Sequence, residues 1–263
     1  MKEYFPYQTE PYLFAPPSWS VMGQFNVLHI ITIIVSLIII YLLYKSHKNS
    51  TNEEQDKFLF AFSLIGIALF ILRIIRRVVF YKYSLFTSLP LEVCNISLFL
   101  MPLVIKKKSK FWYNYAYIIS LSMGMAFLFV VPNMYRVSIF NVLFFEGQFQ
   151  HLITIGVPIC LVLWKRFKPD YRYVLPMVGV LFLFACGDHV LNLIFTNIFN
   201  VHTNYLYTMG PISGTPLMWL STIMDVRLFY MWPTLVMLGL LWYVMCLPWM
   251  IDFRKEWMKW KKK

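Results

Sequence analysis

The feature that most limits what this chain can become is a succession of apolar runs, each near 20 residues, separated by short basic or polar loops. A helix of about 20 residues crosses about 30 Å of hydrocarbon, and a soluble core cannot absorb so many such runs. Of 263 residues, 59% are hydrophobic and 14% charged, against about a quarter charged in a soluble domain. Aromatic residues reach 19%, in keeping with Trp and Tyr belts at both interfaces of a bilayer. The runs predict an all-α, polytopic membrane protein of about seven transmembrane helices, at 26–46, 58–82, 89–105, 111–131, 149–164, 173–199 and 228–251. The fifth is short and has room to start earlier, within Phe140–Phe145. Pro211–Met224 is too short to span and reads as re-entrant or interfacial.

Orientation follows from the basic residues. Loop 45–57, the KKKSK loop 106–110, loop 165–172 and the tail after 251 hold 17 of the 24 Lys and Arg. Lys2, Lys82, Arg136 and Arg227 fall on the other side. The positive-inside rule then puts the N-terminus outside and the C-terminus in the cytoplasm of a multi-pass protein of the cell membrane. Residues 1–25 become an extracellular segment, 26–251 the transmembrane domain and 252–263 a basic cytoplasmic tail. The net charge of +12 is thus explained by topology and anionic lipid, with no nucleic-acid partner. Residues 1–25 do not form a signal peptide, because Glu3, Glu10 and several prolines replace the basic and apolar regions of one.

Ionisable groups inside a bilayer cost several kcal/mol, so each needs a partner, a cavity or a site. Arg73 lies about 22 Å along the second helix, in its outer third, and Arg76 and Arg77 share its face at i+3 and i+4. Glu92, Cys94 and Asn95 sit near the outer end of the third helix. His29 and His151 lie near the outer starts of the first and fifth helices, and Asp188, His189 and Asn192 in the outer half of the sixth. One depth thus collects most of the chemistry-bearing side chains. A polar cavity open to the outer leaflet explains that layer. Snorkelling arginines and structural ion pairs to Glu92 or Asp188 explain parts of it. Cys160, Cys186 and Cys246 read as packing, His29 as an interfacial residue, and His47 and His202 as loop residues.

A thiol beside a His base can form a thioester with a fatty acyl group, and guanidinium groups can hold a phosphate. Asp188, His151 and His189 have no metal-ligand spacing, so neither metal nor cofactor is expected, and the cysteines lack C-x-x-C spacing. There is no Walker loop, H-E-x-x-H or G-x-S-x-G, and the seventh helix has no Lys for a retinal Schiff base.

The run LPLEVCNISLFLMPLVI at 89–105, the following FWYNYAYIISLSMG, FQHLITIG around His151 and TNYLY at 203–207 resemble the YwaF-type family of bacterial membrane proteins. The resemblance extends from Phe25 onward and implies a seven-helix fold. A eukaryotic branch looks like a cysteine-dependent ether-phospholipid acyltransferase. Carried over, the nucleophile is Cys94 and the histidine His151, with His189 and Asp188 as alternative base and orienter. Arg73, Arg76, Arg77, Glu92, Asn95, Asn192, Asn204 and Tyr205 are then the expected contacts to a phospholipid substrate. Two departures stand out. Relatives often carry His two residues before the cysteine, where this chain has Glu92, and MDVRLFYMWP at 224–233 replaces their Pro- and Trp-rich segment. A lipid or small-molecule carrier or sensor, and a membrane scaffold, are the rival readings.

Overall fold

The computed structural model describes residues 17–130, 138–211, 216–224 and 226–250. Most of the N-terminal segment, the basic tail beyond Met250, and Arg136 lie outside the described residues. The described chain is all helical, with one isolated bridge between Val21 and Ser138. Its α-helices are α1 (Val27–Ser46), α2 (Asn52–Ile75), α3 (Val93–Lys107), α4 (Lys110–Tyr115), α5 (Leu121–Val130), α6 (Val142–Leu163), α7 (Val174–Asn197), α8 (Pro216–Ile223) and α9 (Trp232–Met250). A π-turn at Arg76–Phe80 extends α2, and another at Ala116–Ser120 joins α4 to α5.

Every apolar run is helical, and among the described residues five helices are long and apolar enough to cross a membrane. They are Val27–Ser46, Asn52–Phe80, Val142–Leu163, Tyr171–Asn197 and Phe229–Met250. α3 has only 15 residues, and Lys110–Val130 is divided by its π-turn. The predicted 211–224 segment contains α8, which packs on the Phe229–Met231 turn.

Several helix starts differ from the sequence expectation for local reasons. α2 begins at Asn52 because Thr51 and Glu54 form a reciprocal capping box, the Thr51 N–H donating to Glu54 Oε2 at 2.8 Å. α3 begins at Val93, four residues later than the apolar run suggests, because Pro90 follows a 3₁₀ turn at Leu85–Thr87 and Glu92 is extended. Cys94 therefore lies in the first turn of α3. α6 begins at Val142, within the earlier range Phe140–Phe145 that the sequence allows, where Asn141 Oδ1 accepts from the Leu143 N–H at 2.9 Å.

α6 is the central helix: 72% of its spanning window is buried, against 17% for α1. Leu98 and Met101 of α3, Ile118 and Ile119 of the π-turn, and Ile153, Val157 and Cys160 of α6 are almost fully buried in one core. Two glycines allow the close approach. A Cβ on Gly66 of α2 would sit 2.2 Å from Ile153 Cδ1, and one on Gly124 of α5 2.6 Å from Ile155 Cγ1. α1 instead exposes Ile30, Ile31, Ile34 and Ile38, as a helix facing lipid does.

The two ends of the bundle are tied differently. At the basic end Asp56 accepts from Lys108 at 2.6 Å and Arg166 at 2.9 Å, joining the loops around residues 50, 108 and 166. At the opposite end His29 Nδ1 accepts from the Phe25 N–H at 2.9 Å, and its Nε2 donates to the Leu128 carbonyl at 2.7 Å. His29 thus fastens the start of α1 to the end of α5.

Candidate functional site

α5 brings the expected nucleophile and base to one place. The Cys94 thiol, half-buried at the start of α3, donates to the Met123 carbonyl of α5 at 3.8 Å. The His151 ring, buried in α6, stacks on Phe127 with centroids 3.5 Å apart and planes 5° off parallel. Met123 and Phe127 are four residues apart on α5, one turn or about 6 Å. Cys94 and His151 therefore approach successive turns of the same helix. Among the described residues no hydrogen bond joins them directly.

The protonation of His151 can be read from its partners. Nδ1 is 2.6 Å from the Gly147 carbonyl oxygen, which can only accept. Nδ1 therefore carries the proton, and Nε2 holds the lone pair. Nε2 is buried and has no hydrogen-bond partner among the described residues. The Gly147 carbonyl orients this imidazole. Beside it the Gln150 amide donates to Asn95 Oδ1 at 2.6 Å, linking α6 to the residue after Cys94.

A second group of polar side chains lies toward α7. The Glu92 carboxylate accepts from the Leu206 N–H and lies in electrostatic range of Asp188 and of the Cys94 thiol. Leu206 reaches it by adopting φ 49°, and Tyr207 follows at φ 59°, a left-handed pair without glycine. Asp188 is buried and His189 half-buried, and among the described residues neither Asp188 Oδ2 nor His189 Nδ1 has a hydrogen-bond partner.

Asn192, Asn204 and Tyr205 hold the loop that covers this end. Asn192 Oδ1 accepts from the Tyr205 N–H at 3.0 Å, and its Nδ2 donates to the Tyr205 carbonyl and Thr208 Oγ1, each at 3.0 Å. Tyr205 Oη donates to the Phe86 carbonyl at 2.5 Å and accepts from the Leu89 N–H at 3.1 Å. Asn204 Nδ2 donates to the Gly210 carbonyl at 2.9 Å. The loop thereby docks on the segment leading into Cys94.

The three arginines part company. Arg76 makes a bidentate pair with Glu146 of α6, at 2.8 and 2.9 Å. Glu146 was absent from the expected partners, Glu92 and Asp188. Arg73 is buried with its guanidinium 4.1 Å from the Phe70 ring centroid, and lies in electrostatic range of His151. Arg77 is buried with its guanidinium 4.8 Å from the Tyr83 ring. A π-turn starts at Arg76. Among the described residues, no group of three or more His, Cys, Asp or Glu is placed to hold a metal ion.

A family model described as the TMEM164 family matches residues 21–251. No curated protein and no solved structure matches the chain.

Proposed function

The chain belongs to the TMEM164 family of membrane proteins, and from that premise we propose that it is a lipid acyltransferase with Cys94 as nucleophile and His151 as base. It is a multi-pass membrane protein whose apolar helices contact lipid. The observation that carries the catalytic reading is the His151 tautomer: a buried Nε2 lone pair, without a partner, one turn along α5 from the Cys94 thiol. A carrier needs no such base, and a scaffold needs neither group.

In the proposed reaction His151 Nε2 takes the thiol proton and the thiolate attacks the ester carbonyl of a phospholipid. The tetrahedral intermediate collapses to a Cys94 thioester, and the departing lipid alkoxide takes the proton from His151. An acceptor alcohol then gives its proton to Nε2 and attacks the thioester. The expelled thiolate recovers the proton. Backbone N–H groups in the first turn of α3 face outward from the helix N-terminus and suit a developing oxyanion. Glu92, Asp188 and His189 form the polar wall on the α7 side, Asn95, Asn192, Asn204 and Tyr205 shape the cover, and the arginine end of α2 takes the headgroup.

The same reading includes seven spans within 26–251, since α3 and the α4–α5 segment also run between the two ends of the bundle. It puts the basic end in the cytoplasm, the site at the outer leaflet of the cell membrane, and the chain near the YwaF-type proteins. Purified protein in lipid nanodiscs, supplied with a radiolabelled donor phospholipid and a lysophospholipid acceptor, tests it. We expect transfer by the wild type and none by Cys94→Ser. Equal transfer by both proteins would refute a cysteine mechanism.

A further inference from the structure

Glu92 stands two residues before the proposed nucleophile, yet takes no part in the proton transfers described above. It occupies the N-cap of α3 in an extended conformation, and its side chain makes no capping hydrogen bond there. The half-buried carboxylate turns instead to the covering loop, where it accepts from the Leu206 N–H. The Cys94 thiol, in the first turn of the same helix, lies within its electrostatic range. A negative charge so placed opposes the ionisation of the thiol, and the thiolate is the form that attacks.

The surroundings favour a charge on Glu92. The electrostatic neighbour of its carboxylate is a second carboxylate, Asp188 of α7. Asp188 lies one turn before Asn192, which binds both the N–H and the carbonyl of Tyr205, the residue before Leu206. Two carboxylates in range of each other do not ionise independently, since the second charge must form against the first. Asp188 is 4% exposed, and among the described residues its Oδ2 has no hydrogen-bond partner. Glu92 has the Leu206 N–H, a donor that stabilises the ionised form. Other ionisable groups come from every side of α3. α7 carries His189, and α6 carries His151. The Tyr115 hydroxyl of α4 lies 3.0 Å from Ser97 Oγ and in electrostatic range of Cys94. α2 brings Arg73, in range of His151, and its π-turn brings Arg77 over the Tyr83 ring and Arg76 in its pair with Glu146. The Tyr205 hydroxyl ties down the segment that leads into Glu92.

We propose that Glu92 regulates the nucleophile: once ionised it restrains the Cys94 thiol, so that the reactivity of Cys94 stays nearly level over the pH interval in which Glu92 loses its proton. Rising pH drives the thiol to ionise and charges Glu92 at the same time, and the two effects oppose each other. The inference rests on the acyl-transfer reading for its use, but is tested on the thiol alone. A thiol that behaves as described in a protein that never forms a thioester refutes the enzyme and leaves this control standing. Thioester formation without the control does the reverse.

The experiment uses full-length protein in detergent. Alkylation by iodoacetamide is timed from mildly acidic to mildly alkaline pH and quantified on the Cys94 peptide by mass spectrometry. Glu92→Gln removes the charge and keeps an acceptor for the Leu206 N–H, so its melting temperature should stay near that of the wild type. Glu92→Leu removes both the charge and the acceptor. We expect the ratio of the Glu92→Gln rate to the wild-type rate to be close to unity at the acidic end and to rise to about tenfold or more at the alkaline end, the scale of one nearby charge. His151 is present in both proteins, so its own titration cancels in the ratio. Glu92→Leu should show the same rise with pH, on top of any constant factor from a loosened loop. In the wild type alone, the logarithm of the rate should pause in its climb with pH. A ratio for Glu92→Gln that does not change with pH, or that falls as pH rises, would overturn the proposal. So would a gain seen with Glu92→Leu and not with Glu92→Gln, which would assign the effect to the loop, or a wild-type rate that climbs in proportion to hydroxide throughout.

Discussion

A histidine whose Nδ1 proton is committed to a backbone carbonyl is held in one tautomer, and His151 is held so by Gly147. Its role can be separated from its packing on Phe127. His151→Ala should lower acyl transfer by on the order of 10²- to 10⁴-fold, the range for losing a positioned base. Adding Cys94→Ser should cost nothing further, because groups that act as a unit are not additive. A double variant much worse than either single variant in the same transfer assay would mean that the two act independently. Arg76 and Glu146 give a contrasting expectation. Removing one partner strands a charge in a partly buried setting, so Arg76→Gln and Glu146→Gln should each lower the melting temperature more than the double variant does. The polar layer of Cys94, His151, Asp188 and the arginines was legible in the sequence, because charge at that depth is costly and therefore conspicuous. Glu146 was less legible, because the sequence allows the fifth helix to start at 149 or within Phe140–Phe145, and only the earlier start puts the carboxylate on the helix. Gly147 as the orienting group was also hidden, since any residue supplies a backbone carbonyl.

Helix starts were legible where apolar residues mark them, and less so where a polar cap or a protein-facing turn does. α1 has a mean hydropathy of 2.7 and starts within one residue of its expected limit. α6 has a mean hydropathy of 1.2, because a central helix meets protein and can pair Glu146 and Gln150 internally. Its polar first turns therefore leave the start open between 140–145 and 149. The π-turns left no mark in the sequence at all, since a π-turn is set by tertiary packing more than by composition. The α5–α6 seam is the element-scale weak point of the site. Gly124→Val would place a Cβ 2.6 Å from Ile155 Cγ1 and 2.9 Å from Thr154 Oγ1, both on α6. We expect a loss of about 1–3 kcal/mol in stability, as for other overpacked sites, together with reduced transfer because Met123 and Phe127 move with α5. Gly179→Ala on α7 meets nothing within 4 Å and should leave the thermal unfolding curve and the transfer rate close to wild type. Equal behaviour of the two glycine variants would show that the seam does not position the site.

At the scale of the molecule, topology and chemistry are joined. The loops linked by Asp56, Lys108 and Arg166 gather the basic residues at one end, while the covering loop and the polar site lie toward the other. In intact cells an impermeant thiol reagent should label a cysteine introduced at Thr203 or Gly210 and spare one introduced at Lys107. Labelling at Lys107 alone would invert the orientation and move the site to the inner leaflet. The order of helices around the bundle, on which the meeting of Cys94 and His151 depends, could not be read from apolar runs, which report length and depth but not neighbours. The most direct test of the central claim is the covalent intermediate itself. Full-length protein is incubated with a phospholipid donor without acceptor, denatured in acid and analysed by intact and peptide mass spectrometry. Acyl transfer through Cys94 requires one fatty acyl mass on the Cys94 peptide, removed by neutral hydroxylamine and absent from Cys94→Ser. An acyl group on another residue, or none on a preparation that transfers acyl chains when acceptor is added, would contradict it.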